Sequence, residues 1–377
     1  MNGESAIRNR RDKVDTSVEN YWRKVISGRR PGIIANAIKA FLALVSLPYA
    51  TIISLRNIAY DRGWKVIHRL PKSCIISIGN IVVGGSGKTP LVIALAEALN
   101  DGKVAILSRG YRSQVEKLST SVVVSQGNGP TCSAALGGDE PLLMASRLPQ
   151  AMVIVGRHRH QSALMAIEAG YSIMLLDDGM QHRSLARDFD IAVVSADEAL
   201  NEEHLFPRGT LREPPESLKR ATFVVITHVR DTEHYQKMRK KVAHYTDAPT
   251  AGVRLKVSGV YPLDGKGFLE VDGMKVGVFC AIAKPENFVD TVTSLRADVV
   301  SSQFYADHES LSEKTLVSFA EHCKRLGAKA LICTEKDKVK LNPELELPLP
   351  IVWIKVDVEV VEDVESWKRL LLDIRHT

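Results

Sequence analysis

The five cysteines of this 377-residue sequence are too few and too scattered for a disulfide framework or a zinc site. They are Cys74, Cys132, Cys280, Cys323 and Cys333, and no two of them stand in a Cys-x-x-Cys pair. An odd, dispersed set of this kind is typical of free thiols in a reducing compartment. Small disulfide scaffolds and zinc-binding modules therefore do not fit this sequence.

Aromatic residues and excess charge are also scarce. Aromatic side chains make up 6% of the sequence, the formal net charge is +6, and long basic runs and the aromatic motifs of RNA-binding domains are absent. The composition therefore gives no support for a nucleic-acid partner. The hydrophobic fraction of 45% is ample for a packed core, and a length of 377 residues favours two domains over one.

An uninterrupted apolar run of the roughly 20 residues that span a membrane is missing too. Residues 1–30 form a polar, arginine- and lysine-rich extension without the apolar core of a signal peptide, and only a weak transit-peptide character remains. Residues 31–60 are apolar at helical spacing, with polar interruptions and basic flanks. This pattern fits a helix lying in a membrane interface and equally a helix packed on the core, and the sequence leaves both interpretations open.

Strand and helix patterns alternate from residue 71 onward. Apolar strands are predicted at 74–79, 103–107, 121–124, 151–155, 171–176, 190–194 and 222–227, with helices at 89–100, 139–147 and 160–169 among them. This alternation predicts an α/β fold with a doubly wound, mostly parallel sheet, in a domain over residues 31–250. Residues 251–277 have the pattern of short strands in a linking β-ribbon, and a second, smaller α/β domain is predicted within 251–377.

One stretch has a phosphate-binding pattern. The apolar strand that ends at Gly79 runs into Gly84-Gly85-Ser86-Gly87-Lys88-Thr89, and a helical pattern follows. Glycines let backbone N–H groups turn towards a polyphosphate, and the helix N-terminus adds positive potential. Lys88 would reach the β- and γ-phosphates, and Thr89 would hold Mg²⁺. Although Val82 stands where the general P-loop pattern has its first glycine, this stretch predicts a nucleoside triphosphate site.

Two carboxylates follow another apolar strand. Asp177 and Asp178 come directly after the stretch 171–176, and Gln181 and His182 follow them. Since parallel strands end at one shared edge, we expect these side chains beside the phosphate loop, where the carboxylates could hold Mg²⁺ directly or through water. A helix cap is the structural alternative for such an aspartate.

Three further stretches are expected at the same edge, each with a structural alternative. Arg109 follows a predicted strand and could bind phosphate or lie in solvent. Asp139 opens a helix, where it could be an N-cap or a general base towards an attacking hydroxyl. Arg212 and Glu213 stand in a proline-punctuated segment, where they could bind an anionic substrate and the metal or form a surface salt bridge.

The second half of the chain offers two weaker signals. His308 follows a predicted strand and could orient a base, although a lone histidine is more often structural. The stretch Thr334-Glu335-Lys336-Asp337 has the wrong spacing for the guanine-reading motif of GTPases, so a GTPase is discounted.

Together these stretches resemble the tetraacyldisaccharide 4′-kinase family of lipid A biosynthesis. The matching segments, in the family's order, are residues 78–90, Ser108-Arg109-Gly110-Tyr111, Gly138-Asp139-Glu140-Pro141, Asp177-Asp178-Gly179-Met180-Gln181-His182, Leu185-Ala186-Arg187-Asp188, Leu211-Arg212-Glu213-Pro214, Asp307-His308 and Thr334-Glu335-Lys336-Asp337. The Lys-Thr-Pro sequence after the phosphate loop and the Asp-Asp-Gly-x-Gln-His segment are highly specific together. The lack of the first P-loop glycine, where this chain has Val82, is normal for this family.

The resemblance implies a kinase that uses ATP and Mg²⁺ to phosphorylate the 4′-hydroxyl of tetraacyldisaccharide 1-phosphate. It assigns catalysis to Asp139 as base with His308 and Lys88, ATP to Gly84, Gly85, Ser86, Gly87, Lys88 and Thr89, metal to Thr89, Asp177, Asp178 and Glu213, and substrate to Arg109, Gln181, His182 and Arg212. Arg157 and Arg159 both lie where the family has a further arginine.

The resemblance also implies a setting for the enzyme. It favours a membrane role for residues 31–60 in a monomer at the inner membrane. That would be the cytoplasmic face in a bacterium or, given the polar N-terminal extension, a mitochondrion in a plant. The alternative function is a P-loop ATPase switch or assembly factor that acts on a membrane partner without phosphorylating a lipid.

Overall fold

The computed structural model describes residues 21–22, 25–26, 31–99, 103–111, 113–118, 120–198, 200, 204–263, 267–306, 312–342 and 345–377. The helices are α1 (Ile33–Asp61), α2 (Lys88–Ala98), α3 (Ala134–Gly137), α4 (Asp139–Arg147), α5 (Arg159–Glu168), α6 (Thr232–Val242), α7 (Pro285–Ser294), α8 (Glu313–Arg325), α9 (Glu335–Lys338) and α10 (Val364–Arg375). The strands are β1 (Cys74–Gly79), β2 (Val104–Ser108), β3 (Val122–Gln126), β4 (Met152–Val155), β5 (Ile173–Asp177), β6 (Phe189–Ser195), β7 (Phe223–Thr227), β8 (Thr250–Pro262), β9 (Lys275–Cys280), β10 (Asp298–Phe304), β11 (Ala330–Thr334) and β12 (Ile351–Glu362). Two 3₁₀ turns lie at Val115–Lys117 and Pro215–Arg220.

The larger of two compact units comprises residues 24–256 and 358–377. Its strands lie in the order β8-β7-β6-β1-β5-β2-β4-β3. The pairings from β8 through β4 are parallel, and only the edge strand β3 runs antiparallel to its neighbour β4. Strands β1, β2 and β7 are buried along their whole length, as continuous apolar strands in a covered parallel sheet are. The predicted α/β fold with a mostly parallel sheet is confirmed.

Strand order places the candidate site. Strand β1 lies between β5 and β6 and is parallel to both. The phosphate loop after Gly79 and the aspartates at the end of β5 therefore lie at one shared carboxyl edge. Ligands of open α/β sheets bind at this edge. The close approach of the two segments explains the glycine, because a Cβ atom at Gly79 would lie 2.5 Å from the backbone nitrogen of Met180.

The smaller unit contains residues 257–357. Its strands lie in the order β10-β9-β11-β12, and all three pairings are parallel. Helix α8 buries Leu316, Phe319 and Ala320 in its core. The alternation also predicts strands at 276–280, 298–304 and 329–333 and helices at 285–295 and 311–326, and these occur within two residues of the expected positions. The last predicted strand, 351–356, is longer in the structure and runs to Glu362.

Two predictions for the C-terminal third differ from the structure. Residues 250–262 form one strand of 13 residues instead of short strands. Gly252 lies inside this strand, where the absence of a Cβ atom leaves room for the ring of Tyr235. Residues 358–377, which the sequence placed with the smaller domain, lie in the larger unit. There Trp367 of α10 packs against Phe223 of β7, with ring centroids 6.3 Å apart.

Helix α1 has an unusual distribution of side chains. It runs continuously through Pro48, and within the described residues it is the one helix long and apolar enough to cross a membrane. Its large apolar side chains are mostly exposed, including Ile33, Phe41, Leu44 and Ile52. The alternative of a helix packed on the core therefore does not fit the structure.

Candidate functional site

The phosphate loop is braced from both sides. The Asn80 side-chain amide donates to Ser86 Oγ at 2.8 Å, and the Thr227 hydroxyl donates to the Ser86 carbonyl oxygen at 2.9 Å. Gly87 has a φ of 81°, a left-handed conformation that favours glycine, and α2 begins at the next residue. The loop therefore presents the N-terminus of α2 at the carboxyl edge, as a site for phosphate requires.

Asp178 joins two cations at this loop. Its carboxylate lies 3.5 Å from Lys88 Nζ and 2.7 Å from Arg212 Nη1. Burial alone would raise the pKa of Asp178, but Lys88 and Arg212 outweigh it and lower the pKa below its usual value. The result is a charged cluster in which two cations meet at one carboxylate beside the phosphate loop.

The backbone of Asp178 is strained. Its φ is 51°, in the left-handed region that residues other than glycine seldom adopt, although aspartate and asparagine tolerate it best. Strained residues of this kind cluster at functional sites, where the surrounding structure holds them. The strain therefore supports a functional role for the segment after β5.

Asp177 is buried beside its neighbour and accepts a hydrogen bond from Ser108 Oγ at 2.9 Å. Burial raises the pKa of Asp177 to about 6, and the carboxylates of Glu140 and Asp178 contribute to this rise. Mutually repelling carboxylates in a buried position are what a divalent cation would stabilise. The described residues contain no cluster of three or more metal-ligating side chains, so phosphate oxygens and water would have to complete a Mg²⁺ shell.

Asp139 and Thr89 occupy helix starts at the same edge. Thr89 is the second residue of α2 and directly follows Lys88. Asp139 is the half-buried first residue of α4, and its neighbour Glu140 is close enough to Asp177 to affect the pKa of that carboxyl. The structure therefore brings the segment that contains the predicted base towards the predicted metal site.

Gln181 and His182 stabilise the segment after β5. The Gln181 amide donates to the Asn80 carbonyl oxygen at 2.9 Å, and its Oε1 accepts from Arg212 Nη1 at 3.3 Å. His182 Nε2 lies 3.1 Å from Ser184 Oγ. Burial, together with nearby cations that include Arg159, lowers the pKa of His182 to about 4, so this ring is neutral at physiological pH.

The predicted substrate arginines differ in their surroundings. Arg109 is paired with Glu116 at 3.0 Å, and its side chain is 59% exposed. Arg159, the first residue of α5, is buried and donates to the carbonyl oxygens of Gly156 and Asp177, whereas Arg157 is exposed. Of the two arginines that the sequence left undecided, Arg159 is therefore the one that reaches the end of β5.

Glu213 has different contacts from Asp177 and Asp178. Its fully buried carboxylate accepts hydrogen bonds from Arg220 Nη2 at 2.9 Å, from Asn57 Nδ2 at 2.9 Å and from Arg56 Nη2 at 3.5 Å. Burial would raise its pKa, but these donors outweigh burial and lower it. Both oxygens have donors, so in this structure the carboxylate holds α1, and its assignment to the metal stays a prediction.

The signals in the second half of the chain have different outcomes. His308 lies outside the described residues, and its predicted role stays a prediction. Thr334 is the N-cap of the short helix α9, and its hydroxyl contacts the Asp337 carboxylate at 2.6 Å. Asp337 also accepts from the backbone of Ala281 and pairs with Lys340 at 2.8 Å. Thr334 and Asp337 of this stretch therefore have a structural role in capping and anchoring α9.

Sequence reasoning missed two residues at the carboxyl end of β7, Thr227 and His228. Thr227 braces the phosphate loop, and His228 has a φ of 58° and lies with its Nδ1 3.0 Å from Ser195 Oγ. The signal was available, because Thr227 ends the predicted strand 222–227, His228 directly follows it, and parallel strands share their carboxyl edge. These residues complete the polar lining on the β6 and β7 side of the loop.

Comparison with known proteins assigns the family. The family described as tetraacyldisaccharide-1-P 4'-kinase matches residues 38–375. The chain belongs to this family. A tetraacyldisaccharide 4'-kinase from Geobacter sulfurreducens is 35% identical over 343 residues, which cover 89% of this chain and 93% of the relative. The corresponding protein from Chlamydia pneumoniae is 35% identical over 309 residues, covering 80% of this chain and 82% of the relative.

A solved kinase of this family has a similar structure. The crystal structure of LpxK from Aquifex aeolicus, described as a complex with ATP, has a TM-score of 0.74 and 29% sequence identity to this chain. The likeness covers 89% of this chain and 99% of that one. The fold and family predicted from the sequence motifs are confirmed by these comparisons.

Proposed function

We propose that this protein transfers the γ-phosphoryl group of ATP to the 4′-hydroxyl of a tetraacyldisaccharide 1-phosphate, the lipid A precursor. One observation supports this most directly. Lys88 of the phosphate loop and Arg212 of the segment 204–213 both contact the Asp178 carboxylate. The chain that holds this cluster matches the kinase family from residue 38 to residue 375. Two convergent cations beside a helix N-terminus suit the charge that develops on a transferring phosphoryl group.

The chain's own residues would divide the work at the carboxyl edge. The backbone of residues 84–89 and the start of α2 bind the polyphosphate, and Lys88 orients its β- and γ-phosphates. Asp178 keeps Lys88 and Arg212 in place before the nucleotide arrives. Asp139, at the start of α4, takes the proton from the acceptor hydroxyl.

The carboxylates after β5 fit a magnesium ion. Asp177 is buried, and its pKa is raised by burial and by neighbouring carboxylates. Thr89 directly follows Lys88 at the start of α2. Thr89 and Asp177 would hold the ion, with Asp178 beside them. When bound, Mg²⁺ would neutralise phosphate charge and align the triphosphate.

Helix α1 would place the enzyme on the membrane that contains its lipid substrate. Its exposed face is apolar, and Arg62 and Lys65 follow its last turn. A helix of this kind lies in the interface, and each nearby basic residue contributes about 1 kcal/mol at an anionic surface. The enzyme would act there as a monomer.

The competing function is an ATPase switch, and product stoichiometry separates it from a kinase. The purified protein is given Mg-ATP with and without the acylated disaccharide in detergent micelles. The kinase forms ADP only with the lipid, and one ADP per phosphorylated lipid. A switch would release phosphate without the lipid, and that outcome would refute the proposal.

A further inference from the structure

Helix α1 attaches to the larger unit through a polar stripe. Ser46, Tyr49, Arg56 and Asn57 recur at helical spacing on one face, while the helix buries only Ala35, Ser46 and Ile53. All four of these polar side chains contact the segment 204–213. This helix therefore turns its polar side towards the protein and its apolar side outwards.

The contacts of the stripe are specific. Ser46 Oγ donates to the Leu205 carbonyl oxygen at 3.1 Å, and Tyr49 Oη donates to the Arg212 carbonyl oxygen at 2.9 Å. Asn57 Nδ2 donates to Glu213 Oε2 at 2.9 Å. Hydrogen bonds of this kind fix orientation more strictly than apolar contacts do, because they weaken steeply with angle and distance.

The segment that receives these contacts is itself part of the phosphate site. Val83 N donates to the Thr210 carbonyl oxygen at 2.7 Å, and Arg212 N donates to the Ile81 carbonyl oxygen at 2.6 Å. The Arg212 guanidinium reaches Asp178, which also contacts Lys88. Only one residue, Arg212, therefore lies between the hydroxyl of Tyr49 and the cluster around the phosphate loop.

Burial makes the Asn57 contact consequential. The Glu213 carboxylate has no solvent-exposed surface, and it depends on Asn57, Arg56 and Arg220 for its hydrogen bonds. A buried carboxylate that loses a donor is destabilised and must move or find another partner. Because Glu213 is adjacent to Arg212, such a movement displaces the arginine at the phosphate site.

We propose that Tyr49 and Asn57 of α1 are positioning residues for phosphoryl transfer, acting through Arg212 and Glu213. The same helix would then both seat the enzyme on lipid and hold the cation at the phosphate site. This inference rests on the proposed kinase function for its turnover readout, and ATP affinity supplies a readout that does not depend on that function.

The test uses two single variants of the full chain, Asn57→Ala and Tyr49→Phe. Matched controls are Asn342→Ala, which removes an amide bonded to the exposed Glu313 carboxylate, and Tyr171→Phe, which removes a hydroxyl bonded to an exposed carbonyl. We expect kcat to fall about 10- to 100-fold in Asn57→Ala and about 3- to 10-fold in Tyr49→Phe. The Kd for ATP should rise about 3- to 10-fold in Asn57→Ala. Vesicle binding and the control variants should stay at wild-type values.

A double-variant cycle separates positioning from general damage to the structure. If Asn57 acts through Arg212, then Asn57→Ala should lower kcat little further in an Arg212→Ala background. Losses that multiply would overturn the proposal. So would wild-type kcat and ATP affinity in both single variants, or a loss confined to vesicle binding.

Two further outcomes remain decisive. If Asn57→Ala does not fold, Tyr49→Phe, which changes one hydroxyl, decides the result. If the wild type phosphorylates no lipid, the kinase proposal fails by itself, and the ATP affinities of the same variants still decide whether α1 positions the phosphate site.

Discussion

At the scale of single residues, Asp178 is the point where the contacts of the phosphate site converge. It contacts both Lys88 and Arg212 and adopts a left-handed backbone conformation. Asp177, its neighbour, points to Ser108 instead. Two adjacent carboxylates thus have distinct partners, one organising cations and one in a buried position suited to a metal.

Replacing Asp178 with asparagine should disable the site without unfolding it. Asparagine tolerates the left-handed backbone, but it no longer balances the charges of Lys88 and Arg212. We expect kcat/KM for phosphoryl transfer to fall about 10²-fold, with little change in the melting temperature. The control is Asp272→Asn, which breaks an exposed pair with Arg296 and should change neither quantity measurably. Wild-type activity in Asp178→Asn would contradict this role.

His182 should make folding stability depend on pH. Burial and neighbouring cations lower its pKa to about 4 in the folded state, against about 6.5 when unfolded. Between these values the unfolded chain binds a proton that the folded chain does not, so this contribution to stability is fully present above pH 6.5. It is lost as the pH falls towards 4, to a limit of roughly 3 kcal/mol.

Denaturant unfolding at several pH values measures this effect. His182→Gln should flatten the dependence of the unfolding free energy on pH between about 4 and 6.5. His244→Gln, which changes an exposed histidine of the same unit, should leave the slope unaltered. An unchanged slope in His182→Gln would show that other groups cause the dependence.

At the scale of elements, α1 is a helix whose apolar face is exposed and whose polar face contacts the protein. The sequence predicted the helix from its spacing, but it could not tell core packing from membrane contact. That distinction depends on which face meets the segment 204–213, more than 140 residues later in the chain, and local periodicity contains no such information.

Two charges on the exposed face of α1 should release the protein from lipid. The change is Leu44→Glu with Ile52→Glu, at side chains that are 66% and 64% exposed. Removing two apolar side chains from the interface should weaken binding to phosphatidylcholine–phosphatidylglycerol vesicles by at least about 10²-fold, since each contributes about 1.5–3 kcal/mol. Cosedimentation with these vesicles measures the loss of binding.

The matched control for that variant is Leu372→Glu, which changes an exposed leucine on α10 of the same unit. This control should bind vesicles as the wild type does. Equal vesicle binding by the wild type and the α1 variant would contradict the proposed membrane role of α1.

The motifs of the site were predictable where they are local. The phosphate loop and the aspartates at the end of β5 are each a continuous stretch of sequence that belongs to a clearly apolar strand. Because β1 and β5 are parallel neighbours, strand order alone brings the two stretches together. The resemblance assigned Glu213 to the metal, and in the structure its carboxylate accepts hydrogen bonds from Asn57 and Arg220, which lie on other elements. The sequence could not show that tertiary contacts already satisfy this carboxylate.

At the scale of the whole molecule, the C-terminal residues 358–377 belong to the larger unit. Helix α10 buries Trp367, Leu370 and Ile374 there, although residues 257–357 form a separate compact unit. The sequence assigned residues 358–377 to the other domain, because apolar periodicity shows that a face is buried but not against which element.

Trp367→Ala should therefore destabilise the larger unit. The ring is 8% exposed and packs on Phe223, so its truncation leaves a cavity that costs about 3 kcal/mol or more. Leu372→Ala, at a side chain that is 53% exposed on the same helix, should cost much less. Denaturant unfolding of both variants measures the difference, and equal stabilities would contradict the assignment of α10 to the core of that unit.

The most direct test of the kinase assignment is phosphate transfer from γ-³²P-ATP to tetraacyldisaccharide 1-phosphate in micelles, with the wild type beside Asp139→Ala. The account predicts a lipid labelled at the 4′-position by the wild type and a loss of at least about 10²-fold in the variant, the contribution of a general base. Free phosphate without labelled lipid would contradict the kinase. Full labelling by Asp139→Ala would retain the kinase and remove Asp139 from the role of base.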